Sequence, residues 1–353
     1  MKKILKIFMF VLLGIVALAA LFLGWLTIRE YRPEDVTPLE VRAEGGTEKI
    51  TAGETISLIS WNVGYCGLGK DSDFIMDGGG NAPAPDEATV RKYMAGIEAV
   101  LEREDADIYM LQEVDTDSSR SFNIDQRDVF TLGNDCHALN YSCDFVPFPW
   151  PPIGKVNSGV FTTTDYCIES ADRYSLPCPF SWPLRVANLK RCLMASYLPI
   201  EGSDKKLVIV NFHLEAYDSG EGKIAQTKQL MEFVQSEYEK GNYVIAGGDW
   251  NQTYPGSLEL FPNTHEELWK VGFIDVDMLP EGWLFAYDVS TPTCRLLNQP
   301  YDPADTENTQ YYVIDGFIVS PNIQLDSINV INENFENSDH NPVRLEVALL
   351  PEN

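Results

Sequence analysis

Between Ile7 and Ile28 the chain carries no charged residue, and this run constrains the fold more than any other feature. As a helix rising 1.5 Å per residue it extends roughly 33 Å, enough to cross a hydrocarbon core about 30 Å thick. A cleaved signal peptide is the competing reading, because Ala17-Leu18-Ala19 has a small-x-small form. The apolar run continues through Leu21, Phe22, Leu23, Trp25 and Leu26, where a mature protein would turn polar, so an uncleaved anchor over residues 1–28 is expected. Lys2, Lys3 and Lys6 precede the run and Arg29 and Arg32 follow it. The short basic N-terminal tail is expected inside, which places residues 29–353 outside the cytoplasm at the cell membrane.

Beyond the anchor, residues 29–55 are charged, contain Pro and Gly and show no period, so they read as a linker. Apolar runs of strand length then alternate with helical patterns, and one α/β domain is expected over 56–353. Strands are predicted at 55–61, 107–112, 158–163, 190–199, 206–214, 243–246, 311–319 and 343–350, and helices at 88–104 and 222–240. Residues 65–87, 147–157, 175–183 and 280–308 resist regular assignment, and loops of this length usually carry function. Phe145, Phe148, Trp150, Phe180 and Trp182 fall in or beside them, either dipping into a membrane interface or packing under the loops. The seven cysteines fit no metal-binding spacing; some pair outside the cytoplasm or all are buried thiols, and an odd count leaves at least one free.

With 26 Lys+Arg against 53 Asp+Glu, the net charge is −27. Such a surface repels polyanions, so stable nucleic-acid binding is not expected. No protein partner is indicated.

Several segments place polar residues at the end of an apolar strand, the edge where α/β sheets bind ligands. They are Ile59-Ser60-Trp61-Asn62, Met110-Leu111-Gln112-Glu113, Asn211-Phe212-His213-Leu214, Gly247-Gly248-Asp249-Trp250-Asn251 and Val313-Ile314-Asp315-Gly316. Another, Ser338-Asp339-His340-Asn341-Pro342, precedes the last strand. Each alone is weak, since a strand-end Asp is commonly a turn or cap residue. Only four histidines exist, however, and His213 and His340 both fall in these segments. Together a Glu and an Asn offer oxygen ligands to a hard divalent cation, and an Asp–His pair fixes an imidazole near neutral pH. A second His with an Asn can hold phosphate oxygens as charge builds. Cation, base and phosphate clamp describe phosphoester hydrolysis.

In this order the segments resemble the endonuclease/exonuclease/phosphatase superfamily, over Asn62 to His340. Asn157-Ser158-Gly159-Val160 and Pro292-Thr293-Cys294-Arg295 resemble two further family segments. The resemblance implies a four-layer α/β sandwich, two mostly antiparallel sheets face to face with helices outside. It implies Mg²⁺ (or Mn²⁺) held by Glu113, with Asn62 beside it and Asp339 completing the site. Asp249 and Asn251 would position the attacking water and the scissile phosphate, Asp249 also serving as base. His340, oriented by Asp315, would act on the nucleophile or a phosphate oxygen, and His213 would donate to a phosphate oxygen. Arg120, Arg185 and Arg295 either reach a substrate anion or form loop ion pairs. His137 and His265 match nothing and are expected at the surface or on helices.

The substrate is not fixed by the family. A membrane-anchored phosphodiesterase or phosphatase acting on a phospholipid or glycolipid head group, or on a small phosphorylated substrate, is expected first. An extracytoplasmic nuclease and a catalytically idle binding module are the alternatives. Cys66 and its neighbouring glycines follow Asn62 where a substrate loop would begin, so specificity does not transfer from any family member.

Overall fold

The apolar runs are strands buried on both faces. In a computed structural model of the chain, which describes residues 2–43, 45–81, 84–265, 268–305 and 307–351, the strands of the two main sheets are, in chain order, β1 (Val36–Pro38), β2 (Val41–Ala43), β3 (Thr55–Asn62), β4 (Ile108–Asp115), β5 (Asn134–Val146), β6 (Gly154–Thr164), β7 (Ser170–Ser175), β8 (Cys192–Pro199), β9 (Lys206–His213), β10 (Tyr243–Asp249), β11 (Leu284–Ala286), β12 (Asp315–Val319), β13 (Ile323–Val330) and β14 (Val343–Leu349). One sheet has the order β1-β7-β8-β9-β10-β12-β11 and the other β13-β14-β3-β4-β6-β5-β2.

Period-two alternation assigns each strand's side chains to two different partners. On β3, Ile56 and Leu58 join a cluster shared with Met194, Ile209 and Ile245 of the other sheet. Ile59 and Trp61 point the opposite way, onto Tyr93, Ile97 and Leu101 of helix α2 (Glu87–Glu104). The second sheet repeats the device: Val208, Val210 and Val244 pack on Leu230 and Val234 of helix α3 (Glu221–Glu239). The result is four layers, helix–sheet–sheet–helix, as the family resemblance implies.

Each sheet contains one parallel pair, β3/β4 and β9/β10. α2 and α3 are the respective crossovers, and every other neighbouring pair is antiparallel. α2 starts at Asp86, whose carboxylate accepts the Thr89 N–H at 2.8 Å, satisfying one of the unpaired donors of the first turn.

Helix α1 (Lys2–Ile28) stands exposed along most of its length and is long and apolar enough to span a membrane. Its last two turns dock on the domain. Leu26 is 5% exposed among Cys143, Val146, Val156 and Val186. Phe22 meets Phe145 edge-on, and the Trp182 indole N–H donates to Thr27 Oγ1 at 3.1 Å.

Several expectations change. Residues 29–55 are not irregular throughout, for β1 pairs with β7 and β2 with β5 at the sheet edges; strands of three residues are too short to show a period. The run 311–319 divides into Tyr311–Tyr312 and β12, because the amides of Ile314 and Asp315 bond Thr293 Oγ1. His137 is neither a surface nor a helix residue. It lies half-buried on β5, a strand masked by its many polar residues, with Nε2 3.2 Å from Val114 O. All seven cysteines are free thiols.

Candidate functional site

Along the inner faces of the parallel pairs, apolar residues give way to amides and then to ionisable groups. Ser60, Gln112 and Asn211 follow the last apolar inward positions and bridge the sheets. Gln112 Nε2 donates to Asn211 Oδ1 at 2.9 Å and to Ser60 Oγ at 3.2 Å, and Asn211 Nδ2 donates to Phe161 O at 2.9 Å. One strand period further on come Asn62 and His213. Gly248 lets β10 lie close to β9, since a Cβ there would stand 2.0 Å from Phe212 O; this places Asp249 opposite His213.

The expected residues converge at this end of the sandwich. Asn62 Nδ2 donates to Asp249 Oδ2 at 3.1 Å and approaches Glu113 Oε1 at 3.4 Å. His213 Nε2 is 3.4 Å from Asp249 Oδ2, and its Nδ1 is 3.9 Å from Glu113 Oε1. His340 Nε2 is 3.7 Å from Asp249 Oδ2, while its Nδ1 bonds Asp315 Oδ2 at 2.9 Å. Ser338 Oγ donates to the Asn62 carbonyl at 2.7 Å, tying the segment that carries Asp339 and His340 to the end of β3.

Two of these residues occupy left-handed backbone. Glu113 has φ 57° at a register shift between Leu111 and Val114, so a β-bulge re-aims its side chain. Asn251 has φ 50°; its N–H bonds Asp249 Oδ1 at 2.8 Å and its Nδ2 bonds Leu214 O at 3.0 Å. Bulged and left-handed residues are costly except where surroundings fix them, and such positions cluster at functional sites.

The cluster carries more carboxylate than counter-charge. Burial pushes Asp339 up to about 7, with Glu113 adding to the rise. Asp249 is pushed up to about 6 by burial and by Asp315. His213 is driven well below the usual histidine range by burial, with Arg191 and His340 nearby, so it is neutral. Burial also opposes charge on His340, but the carboxylates of Asp315 and Asp249 outweigh it and hold the imidazole well above its ordinary value. One imidazolium faces Glu113, Asp249, Asp315 and Asp339.

That surplus of buried oxygen suits a hard cation. Glu113 and Asp339 are the carboxylates that could serve it as charged ligands. Asn62 turns its NH₂ toward the carboxylates, because its Oδ1 accepts the Gly64 N–H at 3.0 Å. As placed it clamps Glu113 and Asp249 together, and it ligates through oxygen only after rotating its amide. Cys294 also meets the cluster, its potential ligand atom lying within 4.8 Å of those of Asp339 and His340. Burial pushes this thiol up to about 12, so it stays protonated.

The arginines divide. Arg120 pairs with Asp115 through Nε at 3.0 Å and Nη2 at 2.9 Å and lies over the Tyr65 ring at 3.7 Å, with one edge on the cavity. Arg185 pairs with Glu30. Arg295 donates to Gly69 O at 2.9 Å and Gln299 O at 3.2 Å, stitching two loops together. Sequence reasoning missed Arg191, Asn140 and Glu215, which line the same cavity. A basic residue opening an apolar strand, as in Arg191-Cys192, was the only available signal.

The cavity measures about 640 Å³. Asp249, His340, Glu113 and Asp339 line it together with Val146, Ile153 and Val186, and with Phe22, Leu23 and Leu26 of α1. It is therefore polar at the cluster and apolar where the long helix enters the domain.

The model of the Endonuclease/Exonuclease/phosphatase family matches residues 59–340. The chain belongs to that family. It is accordingly an enzyme, a hydrolase of phosphoester bonds in a family that depends on divalent metal. No curated protein sequence matches it. Solved structures share the fold at low identity. An endonuclease/exonuclease/phosphatase from Beutenbergia cavernae DSM 12333 superposes with a TM-score of 0.55 at 16% identity, over 84% of this chain and 72% of that one. A family protein from Leptotrichia buccalis C-1013-b gives 0.52 at 14% identity, over 83% and 100%. ANGEL2, described as a 2',3'-cyclic phosphatase, gives 0.52 at 13% identity, over 88% and 98%.

Proposed function

We propose that this chain is a membrane-anchored, extracytoplasmic phosphodiesterase or phosphatase acting on an amphiphilic phosphoester, a phospholipid or glycolipid head group. The observation that carries the reading is a cavity whose polar end holds the acidic cluster and whose apolar end is walled by the base of α1. A head group fits the first end and the start of a lipid tail the second. Phe148, which lines the cavity, is 62% exposed, and Trp150 and Trp182, next in the chain to the lining residues Pro149 and Pro183, are 87% and 55% exposed, aromatic groups suited to a membrane interface. The acidic balance of the chain and the apolar wall both disfavour a nucleic-acid strand.

In this reading Glu113 and Asp339, with Asn62, hold Mg²⁺ (or Mn²⁺), which when bound supplies charge neutralisation at the phosphate oxygens. Asp249, raised toward neutrality, takes the proton of the attacking water, and Asn251 fixes its orientation by occupying Oδ1. The His340 imidazolium, held by Asp315, donates from Nε2 to a phosphate oxygen as charge develops there. Neutral His213 donates its ring N–H to another. The Lys2, Lys3 and Lys6 tail supports an inside N-terminus and an outside domain.

Detergent-solubilised full-length protein should hydrolyse phosphate esters in phospholipid or glycolipid vesicles with Mg²⁺ and stop with EDTA. Cleavage of DNA without cleavage of any lipid would replace this reading with the nuclease. No turnover combined with no Mg²⁺ binding would make the chain an idle module. Protease accessibility of the domain in intact cells tests the topology, and full protection would refute it.

A further inference from the structure

A second polar group lines the cavity beside the hydrolytic cluster. Arg191, at the entry of β8, is 4% exposed, and its Nε and Nη1 have no hydrogen-bond partner. Among the described residues its ion-pair partner is Glu215, whose Oε2 lies 3.7 Å from Nε, beyond hydrogen-bond reach. Glu215 Oε1 is occupied by the amides of Ala216 and Tyr217, and Oε2 has no hydrogen-bond partner. Asn140, 3% exposed, likewise leaves Nδ2 unpaired. Its carbonyl accepts the Lys190 N–H at 2.7 Å, which sets Asn140 beside Arg191.

Buried donors are nearly always satisfied, and a buried charge without full partners is costly. Elsewhere the chain satisfies such a group: Arg173, equally buried, donates to Leu139 O, Lys190 O and Ser175 Oγ. Unpaired N–H groups on Arg191 and Asn140 therefore mark a place for an acceptor brought from outside. Both residues line the cavity with His213, and the positive field of Arg191 reaches that imidazole. Further along β5, Cys143 and Val146 pack with the base of α1.

We propose that Arg191 and Asn140 form a subsite for a second anionic group, a phosphate or carboxylate, borne by the molecule whose phosphoester is cleaved. The inference rests on the proposed reading of the cavity as a phosphoester site, and it narrows the substrate to head groups carrying one anion that is cleaved and another that is held. The guanidinium supplies charge and directed N–H groups, and the Asn140 amide supplies a further donor. Lysine would supply charge without that planar donor set.

Two measurements separate the subsite from the lipid reading. The first uses full-length protein in nonionic detergent with EDTA and inorganic phosphate as probe, followed by ³¹P line broadening. Without a cation the acidic cluster repels phosphate, so binding reports Arg191. Wild type should bind, and Arg191→Gln should bind at least tenfold more weakly. Arg191→Gln/Glu215→Gln, which removes both members of the loose pair, serves if the single variant does not fold. Equal binding by variant and wild type, or none by wild type, overturns the subsite.

The second compares phosphatidylinositol with phosphatidylinositol 4-phosphate in phosphatidylcholine vesicles with Mg²⁺, following cleavage of the phosphodiester that both lipids share. Wild type should favour the lipid with the additional phosphate at least tenfold in kcat/KM, and Arg191→Gln should lose that preference through KM. Equal turnover of the two lipids by wild type overturns the assignment of the anion to the substrate. Arg191-dependent phosphate binding with neither lipid cleaved keeps the subsite, assigns it to soluble phosphoesters and removes the lipid reading.

Discussion

Asp315→Asn isolates the His340 pair without disturbing its frame. The backbone of His340 is fixed independently, since its carbonyl accepts the Trp61 indole N–H at 2.8 Å and its amide bonds Ser338 Oγ at 3.2 Å. The substitution keeps an oxygen for the Nδ1–H but removes the charge that stabilises the imidazolium. Asp249, 3.7 Å from Nε2, remains, so the histidine is weakened as a cation rather than freed. Hydrogen bonds to charged groups are worth about 1.5–3 kcal/mol. At about 1.4 kcal/mol per decade, kcat should fall roughly 10- to 150-fold if the whole interaction is felt in the transition state. The assay is steady-state hydrolysis of bis-p-nitrophenyl phosphate at saturating Mg²⁺, with KM within about threefold of wild type. An unchanged kcat, or a loss confined to KM, would refute the assignment of His340 as the donor to the developing charge.

Glu113→Gln keeps the shape of the bulge but removes a charged ligand; Mg²⁺ affinity by calorimetry should drop at least about tenfold, and turnover by orders of magnitude. Burial pushes His137 down to about 4, so it stays neutral in the folded domain while the unfolded chain takes up a proton near 6.5. Stability should therefore fall as pH drops from 6.5 toward 4, by up to about 1.4 kcal/mol per pH unit, and His137→Gln should flatten that slope in urea titrations. A chain beginning at Phe22 should stay soluble and fold normally, whereas one beginning at Pro33 loses the burial of Leu26 and about 1.5–3 kcal/mol of stability, measured by denaturant midpoint. Trp150→Ala together with Phe148→Ala should leave bis-p-nitrophenyl phosphate turnover intact and weaken vesicle binding in flotation assays.

The sequence revealed those parts of the molecule where burial imposes a pattern. β3, β4, β9 and β10 are covered on both faces, so they read as apolar runs, and their polar ends stood out as Asn62, Glu113, His213 and Asp249. β5 and β13 escaped notice because partly exposed edges admit Asn, Asp, Ser and Gln. The family resemblance supplied sheet polarity, which periodicity cannot carry. Arg191 was illegible for a different reason: its proposed role rests on what it fails to bond, and an absence of partners is written in three dimensions only. Asn62 shows the converse, because the residue type suggested an oxygen ligand while the local bond from Gly64 turns that oxygen away.

The two parallel pairs contribute opposite halves of the centre, Asn62 and Glu113 from one sheet, His213 and Asp249 from the other. In the proposed mechanism neither half acts alone, so the centre would behave as a gauge of the gap between the sheets. Met110 and Phe317 belong to the apolar cluster that fills that gap. Close-packed interiors transmit a change of one methylene, and small displacements of reacting groups are costly to rate. Filler residues deep in the sandwich thus belong to the calibration of the enzyme as well as to its stability. Variants there should detune catalysis while the protein still melts as a single unit.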